Sequence, residues 1–326
     1  MRILVIGTGS IGTRHLKLLN AIPDLRPLAL PSRAERLAEL ISAGFAVCET
    51  IPAANTLGVR QAIIATDTSR HRDDAQAAIE AGFDILVEKP LASNALIARS
   101  ICIRAKEADK QIFVGCNMRF NEALNDFRAK IYLLGNIHTV RIECQSYLPD
   151  WRPSRPYNEA YSARKEEGGV LRDLIHEIDY AGWLFGWPKK IQANVKNLGR
   201  LGIESEEMAD ILWEIENGPT VSIHLDYLSQ PARRMMRAYG ENGTLEWDGV
   251  CGATTLLLTG NSPQRKDSLQ TRNEMYLTQD LAFIQTLNGQ LDPRLATGEE
   301  GIKALCVCDA CRSASEAHCE TEIQYL

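Results

Sequence analysis

Short apolar runs separated by helical stretches fill the first third of the chain. "RILVIG" (2–7), "RPLAL" (26–30), "QAIIAT" (61–66), "DILVE" (84–88) and "QIFVG" (111–115) are apolar almost throughout. Strands that are apolar on both faces belong to a parallel sheet covered on both sides. The stretches 10–22, 33–44, 69–82 and 94–109 have helical composition, with Gly44 closing the second. This alternation predicts a doubly wound α/β domain of the Rossmann type. From about residue 135 the runs alternate apolar and polar positions instead: 138–147, 190–198, 208–217, 220–228 and 234–249. The last is interrupted by "ENGT", a hairpin signal. Such a pattern predicts an α+β domain with an open, mostly antiparallel sheet that buries one face. Helices near 168–186, 278–288 and 298–316 are expected to cover that face or return toward the first domain. No repeat and no Gly/Ser linker is evident. The expected division is therefore 1–119 and 120–326.

Composition narrows the classes. A chain of 326 residues is long enough for two domains. With 45% hydrophobic and 24% charged residues and a net charge of −6, it carries no general affinity for nucleic acid or anionic membrane. No apolar run reaches the roughly 18 residues of a membrane span, and the first residues lack the long apolar core of a signal peptide. Nine cysteines, an odd number, read as reduced thiols, so a cytoplasmic protein is expected. Cys306, Cys308 and Cys311, with Cys319 beyond, offer only one pair (Cys308 and Cys311) on a shared helical face. A metal knuckle needs a second pair, so no metal is assigned.

"VIGTGSIGTRH" sets Gly7, Gly9 and Gly12 in the G-x-G-x-x-G spacing, directly after a strand and opening a helix. The first glycine allows the tight turn and the second lets the backbone approach a pyrophosphate. The third permits close helix packing, with the phosphate on the helix N-terminus. Ser10 and Ile11 complete the candidate loop. An NAD-preferring site would end the second strand in Asp or Glu to bind the ribose 2′-hydroxyl. Here "LALPSRAER" supplies Pro31, Ser32 and Arg33, a hydroxyl and a guanidinium suited to a 2′-phosphate. The expected cofactor is NADP in preference to NAD, with Ser32 and Arg33 as readers. Glu35 just beyond keeps NAD open, and Arg33 as a solvated helix residue is the plainer alternative.

"LVEKPL" (86–91) ends the fourth strand, where ligands of such sheets bind, so Lys89 would project toward the cofactor. An ordinary surface ion pair with Glu88 is the competing explanation. At this point the chain resembles the glucose–fructose oxidoreductase, myo-inositol dehydrogenase and rhizopine catabolism protein (Gfo/Idh/MocA) family. The resemblance runs end to end, through "GTGSIGTRH", "AIIATDTSRHRDDAQAAIEAGFDILVEKPLA", "GCNMRF", "SYLPDWRP", "GGVLRDLIHEIDYAGWLFG" and "RAYGENGTLEWD". It implies an NAD(P)-dependent enzyme acting on sugars or cyclitols, with an open sheet that commonly forms the oligomer interface. A homodimer or homotetramer follows. It also implies that Lys89 lies beside the nicotinamide, that His176 is the active-site histidine, and that Thr66, Ser69, His71 and Glu88 join the cofactor contacts. Two departures stand out. The family's active-site Asp lies four residues before the His, where this chain has Arg172; Asp173, three before, is the substitute. Asp67 sits where Pro or Asn is common. The "DLxHEID" form resembles a subset tied to bacterial surface or nonulosonic sugars.

Asp173, His176 and Asp179 stand three apart, and residues so spaced share one side of a helix. Their apolar neighbours imply burial, and buried ionisable groups need partners or a function. In alcohol oxidation His176 and Lys89 would share the acid/base work, and Asp173 would orient the imidazole. Asp179 reads as structural, a partner for an Arg. The loop "PDWRPSRPYNEAYSARKEE" (149–167) supplies Trp151, Arg152, Arg155 and Tyr161 as candidate substrate contacts, joined by Arg119 from "GCNMRF". If the loop closes over substrate instead of lying solvated, its guanidiniums select an anionic sugar: a phosphate, a nucleotide-linked sugar or an acidic sugar. Two other functions fit the same residues. One is a lyase, hydrolase or epimerase using a retained nicotinamide transiently. The other is a nucleotide sensor without catalysis.

Overall fold

The computed structural model describes residues 1–151 and 156–326. Arg152 and Arg155 lie outside the described residues. The chain forms two compact units: Met1–Asn117 with Thr271–Ile302, and Met118–Gln270 with Lys303–Leu326. The first therefore ends two residues before the expected boundary and regains a later segment of chain.

In the first unit the chain runs β1 (Arg2–Ile6), α1 (Ser10–Asn20), β2 (Arg26–Leu30), α2 (Arg36–Ser42), β3 (Ala46–Val47), α3 (Ile51–Thr56), β4 (Gln61–Ile64), α4 (His71–Glu80), β5 (Asp84–Glu88), α5 (Ala95–Glu107) and β6 (Ile112–Gly115). Strands β1 to β6 pair in parallel, with Leu4 opposite both Leu28 and Ala62. Their side chains are buried on both faces: Leu4, Val5, Ile63, Ile64, Ile85 and Val87 are all inaccessible. That is why these strands read as unbroken apolar runs. Local signals start the helices. Asn94 caps α5 by accepting from Ile97 N–H, and Thr50 caps α3 by accepting from Ala53 N–H.

The second unit contains α6 (Glu122–Lys130), β7 (Ile137–Gln145), α7 (Val170–Asp173), α8 (Ile175–Phe185), β8 (Lys190–Lys196), β9 (Met208–Glu214), β10 (Thr220–Asp226), β11 (Arg233–Gly240), β12 (Gly243–Asp248), β13 (Ala253–Leu258) and β14 (Gln264–Asp267). The chain continues through α9 (Arg272–Gln285), β15 (Ala296–Thr297), α10 (Gly298–Ala317) and β16 (Thr321–Glu322). Helix α9 opens with a reciprocal cap between Thr271 and Glu274.

The first sheet has the order β15-β6-β5-β4-β1-β2-β3, and the second β14-β13-β12-β11-β7-β10-β9-β8-β16. The second sheet is antiparallel except for the β7–β10 pair. Its strands alternate as expected. Along β9, Ala209, Ile211 and Trp213 are buried while Asp210, Leu212 and Glu214 are exposed. Among the described residues, no helix is long and apolar enough to cross a membrane. Cys306, Cys308 and Cys311 are buried in α10, and burial pushes the Cys308 thiol up to about 12, leaving it a packing residue.

Candidate active site

The glycine-rich loop joins β1 to α1 in the first unit. Gly7 has φ +88°, and a Cβ there would lie 2.7 Å from the Ala65 backbone and from Thr66 Cγ2. A Cβ on Gly12 would lie 1.9 Å from the Gly7 carbonyl oxygen, so no side chain fits where α1 crosses the loop. Gly9, by contrast, opens on empty space, and no side chain caps the N-terminus of α1. Free helix N–H groups beside an unfilled approach suit a pyrophosphate, so the residues present fit a dinucleotide. Arg36, at the start of α2, donates from Nη2 to the Thr8 carbonyl at 3.0 Å. Because α2 begins at Arg36 and not at 33, Ser32 and Arg33 lie in the exposed turn before it.

The candidate base Lys89 follows β5, between two residues that buried histidines hold. Glu88 accepts from His15 Nε2 at 3.1 Å, and its other oxygen accepts from the Lys89 backbone N–H at 3.3 Å. His15 Nδ1 donates to Asp280 Oδ2 at 2.7 Å. Burial by itself would lower the His15 pKa, but the carboxylates of Asp280 and Glu88 raise it to about 10. The two carboxylates on its ring nitrogens therefore favour the protonated form of His15. Burial raises Asp280, and the charge on His15 opposes that rise. On the other side of Lys89, His71 Nδ1 lies 2.9 Å from the Pro90 carbonyl and Nε2 3.1 Å from that of Thr66. Burial lowers the His71 pKa against the weaker pull of those carbonyls. His71 was expected to touch the cofactor. A neutral ring has one N–H, which donates to one of these two carbonyls and so helps brace the loops around the site. Ser69 is exposed in the turn before α4.

In the second unit the expected stripe of Asp173, His176 and Asp179 is broken. Helix α7 ends at Asp173, Leu174 takes φ −99° and ψ 30°, and α8 restarts at Ile175. Three-residue spacing puts side chains on one side only along an unbroken helix, so the break at Leu174 takes Asp173 out of register with His176 and Asp179. Asp173 Oδ2 accepts from the buried Tyr227 hydroxyl at 2.6 Å. Trp151 packs edge-on against the Tyr227 ring, 5.4 Å between centroids, and donates from its indole to Ser146 Oγ. Asp179 accepts from Nη2 and Nε of Arg119, at 2.7 and 3.0 Å, with both side chains buried. Arg119, expected to contact substrate, is thus held inside the second unit, because a buried guanidinium needs a carboxylate. Glu177, fully buried on α8, pairs with Arg234 at 2.7 Å. Arg172, in the family's Asp position, turns back and donates to the carbonyls of Lys165 and Gly168. His176 and Tyr161 lie in this unit, His176 buried on α8 and Tyr161 half-buried in a short turn.

Several of these residues escape sequence reading. His15 had a signal: it shares the buried face of α1 with Gly12, Leu16 and Leu19, and an imidazole there needs a partner. Asp280, Arg36 and Tyr227 had none, since each meets its partner only through the fold.

Comparison with known proteins decides the family. A family model described as the oxidoreductase family, NAD-binding Rossmann fold, matches residues 1–116. One described as the GFO/IDH/MocA C-terminal domain matches 133–246. The chain belongs to the Gfo/Idh/MocA oxidoreductases. A myo-inositol dehydrogenase of Streptomyces leeuwenhoekii is 28% identical over 97% of this chain and 98% of its own. An inositol 2-dehydrogenase of Rhizobium meliloti is 25% identical over 97% of each. Among solved structures, a levoglucosan dehydrogenase in complex with NADH superposes with TM-score 0.88, at 17% identity over all of both chains. A dehydrogenase from Bordetella pertussis, in complex with NADH and UDP-GlcNAcA, gives TM-score 0.82 at 21% identity over 99% of each. These likenesses carry the expected architecture for this Gfo/Idh/MocA chain: a Rossmann domain with a parallel sheet and a second domain with a mostly antiparallel one.

Proposed function

We propose that this oxidoreductase moves a hydride between a nicotinamide and a secondary alcohol of a sugar or sugar derivative, with NADP preferred. The observation that carries this is Lys89 at the end of β5, in the same unit as a glycine loop shaped for a dinucleotide, with both its neighbours held from the interior. The bound nicotinamide would supply the hydride chemistry. Gly7, Gly9 and Gly12 would admit its pyrophosphate, with Ser10 and Ile11 donating from the helix terminus. Lys89, as an ammonium, would stabilise charge developing on the alcohol oxygen. His176 would take or return the hydroxyl proton, since an imidazole exists in either form near neutrality. Asp173, fixed by Tyr227, would orient that imidazole.

Three observations support NADP. β2 ends without a carboxylate; Ser32 and Arg33 are exposed; and Arg36 leans on the loop itself. The solved relatives with NADH leave the choice to measurement. Trp151 and Tyr161 would face the sugar, and an anionic sugar fits a loop that also carries Arg152, Arg155, Arg164 and Lys165. Assembly into a dimer or tetramer through the outer face of the second sheet is part of this reading.

Titration with NADPH and NADH, following nicotinamide fluorescence, tests it first. Tight NADPH binding with much weaker NADH is expected, and Lys89→Ala or His176→Ala should lower kcat on an accepted sugar by about 10²- to 10⁴-fold. NADH preference would remove the role of Ser32 and Arg33. Near-normal turnover in both variants would remove the acid/base assignment.

A further inference from the structure

Glu88 ends β5 and Lys89 and Pro90 follow it, and of the three only Lys89 has a role in the proposed chemistry. The outer two are fixed by groups that reach them from beneath. Glu88 divides its carboxylate, one oxygen to His15 and the other to the Lys89 backbone N–H. It lies against β6 at Gly115, its register partner, where a Cβ would sit 3.1 Å from both the Glu88 Cα and Cδ. A residue with a side chain at 115 would push the carboxylate off its partners. Pro90 presents its carbonyl to His71.

His15 has little room to move. Its ring is inaccessible, its Nδ1–H points at a fully buried carboxylate, and Tyr276 packs edge-on at 5.5 Å. Arg14 and Arg272 lie 5.1 and 6.0 Å from the Tyr276 ring, on α1 and α9. The charged groups facing His15 are thus Asp280 and Glu88, with the two guanidiniums beyond the tyrosine. Two buried carboxylates meet at one cation, and without it they would repel each other in a low-dielectric interior. A residue placed there for packing alone would not need to be basic.

We propose that His15 is a positioning residue for Lys89: shared between Asp280 and Glu88, it holds the Glu88 carboxylate against the Lys89 backbone N–H and so fixes where the lysine side chain begins. The glycine loop and the EKP strand end are thereby joined through one side chain, because His15 lies on the helix that the loop opens. The role rests on the reading of Lys89 as the group beside the nicotinamide. It is tested without turnover, so the two can fail separately.

The test is amide hydrogen exchange by NMR on the full chain, comparing wild type with His15→Gln. Exchange at Lys89 should accelerate about tenfold or more, while amides of Ile63 and Leu86 in the same sheet change by less than about threefold. A general loss of stability would speed all three alike and overturn the proposal, as would an unchanged Lys89. If His15→Gln does not fold, the wild-type ring ¹⁵N resonances of His15 decide. Both nitrogens protonated at pH 8 support the shared cation, and a neutral ring at that pH overturns it. Loss of Lys89 protection would stand even if Lys89→Ala left turnover intact. Unaltered protection would end the positioning role and leave the dehydrogenase reading as it is.

Discussion

The two sheets handle charge in opposite ways. The parallel sheet of the first unit is covered on both faces, and at the end of β5 Glu88 joins His15 and Asp280 in a largely buried network. The nine-stranded sheet of the second unit buries one face and leaves the other open. There, His224 bonds Asp210 and Asp226 across neighbouring strand positions, and Arg237 pairs with Glu246. On its covered side, Arg119 pairs with Asp179 and Glu177 with Arg234. Similar chemical groups therefore carry very different energies according to the layer in which they sit.

Breaking a covered pair should show the largest effect. Asp179→Ala leaves the Arg119 guanidinium buried without its carboxylate, and denaturant unfolding should show a loss of about 3–5 kcal/mol. A loss under about 1 kcal/mol would mean that solvent reaches Arg119 after all. Next, the two sheets can be compared by one kind of truncation. Ile63→Ala in β4, buried on both sides, should cost about 2–5 kcal/mol, whereas Leu212→Ala on the outer face of β9 should cost under about 1 kcal/mol. Equal losses would show that the outer face is covered in solution. The smallest effect is a pH dependence. Hydrogen bonding to Asp226, against partial burial and with help from Asp210, raises His224 to about 9. Its contribution is present in full below the unfolded value of about 6.5 and is lost as pH rises through 9. The group is partly solvated, so the loss should be a few tenths of a kcal/mol to about 1. Chemical denaturation of wild type and His224→Gln at pH 6, 8 and 9.5 checks it: the variant should have the shallower slope. His15 contributes its own loss near pH 10 in both proteins.

The sequence disclosed most where one physical cause governs a whole element. Strands β1, β2, β4, β5 and β6 were legible because burial on both faces forces unbroken apolar runs, and β7 to β12 because one-sided burial forces alternation. Strand β14 carried no such mark, since Gln264, Arg265, Lys266 and Asp267 are all exposed. The break at Leu174 was invisible for a different reason. No Gly or Pro interrupts 170–179, and the bend sits between residues held by tertiary partners: Asp173 by Tyr227, and Arg172 by two carbonyls. The glycine loop and Lys89 were readable from local motifs. The grip on Lys89 was not, because Asp280 lies 265 residues from His15 along the chain. Likewise no local motif announces the pairing of Arg119 with Asp179, 60 residues on.

Strand β14 also has a bearing on aggregation. An open sheet of nine strands exposes two edges whose free backbone groups could template a strand from another molecule. One edge here is four residues of Gln, Arg, Lys and Asp, with Arg265 and Asp267 already paired to each other. The other is the two-residue β16. The first edge resists strand addition by charge and the second by brevity, so a second copy of this sheet would find its face more readily than its rim.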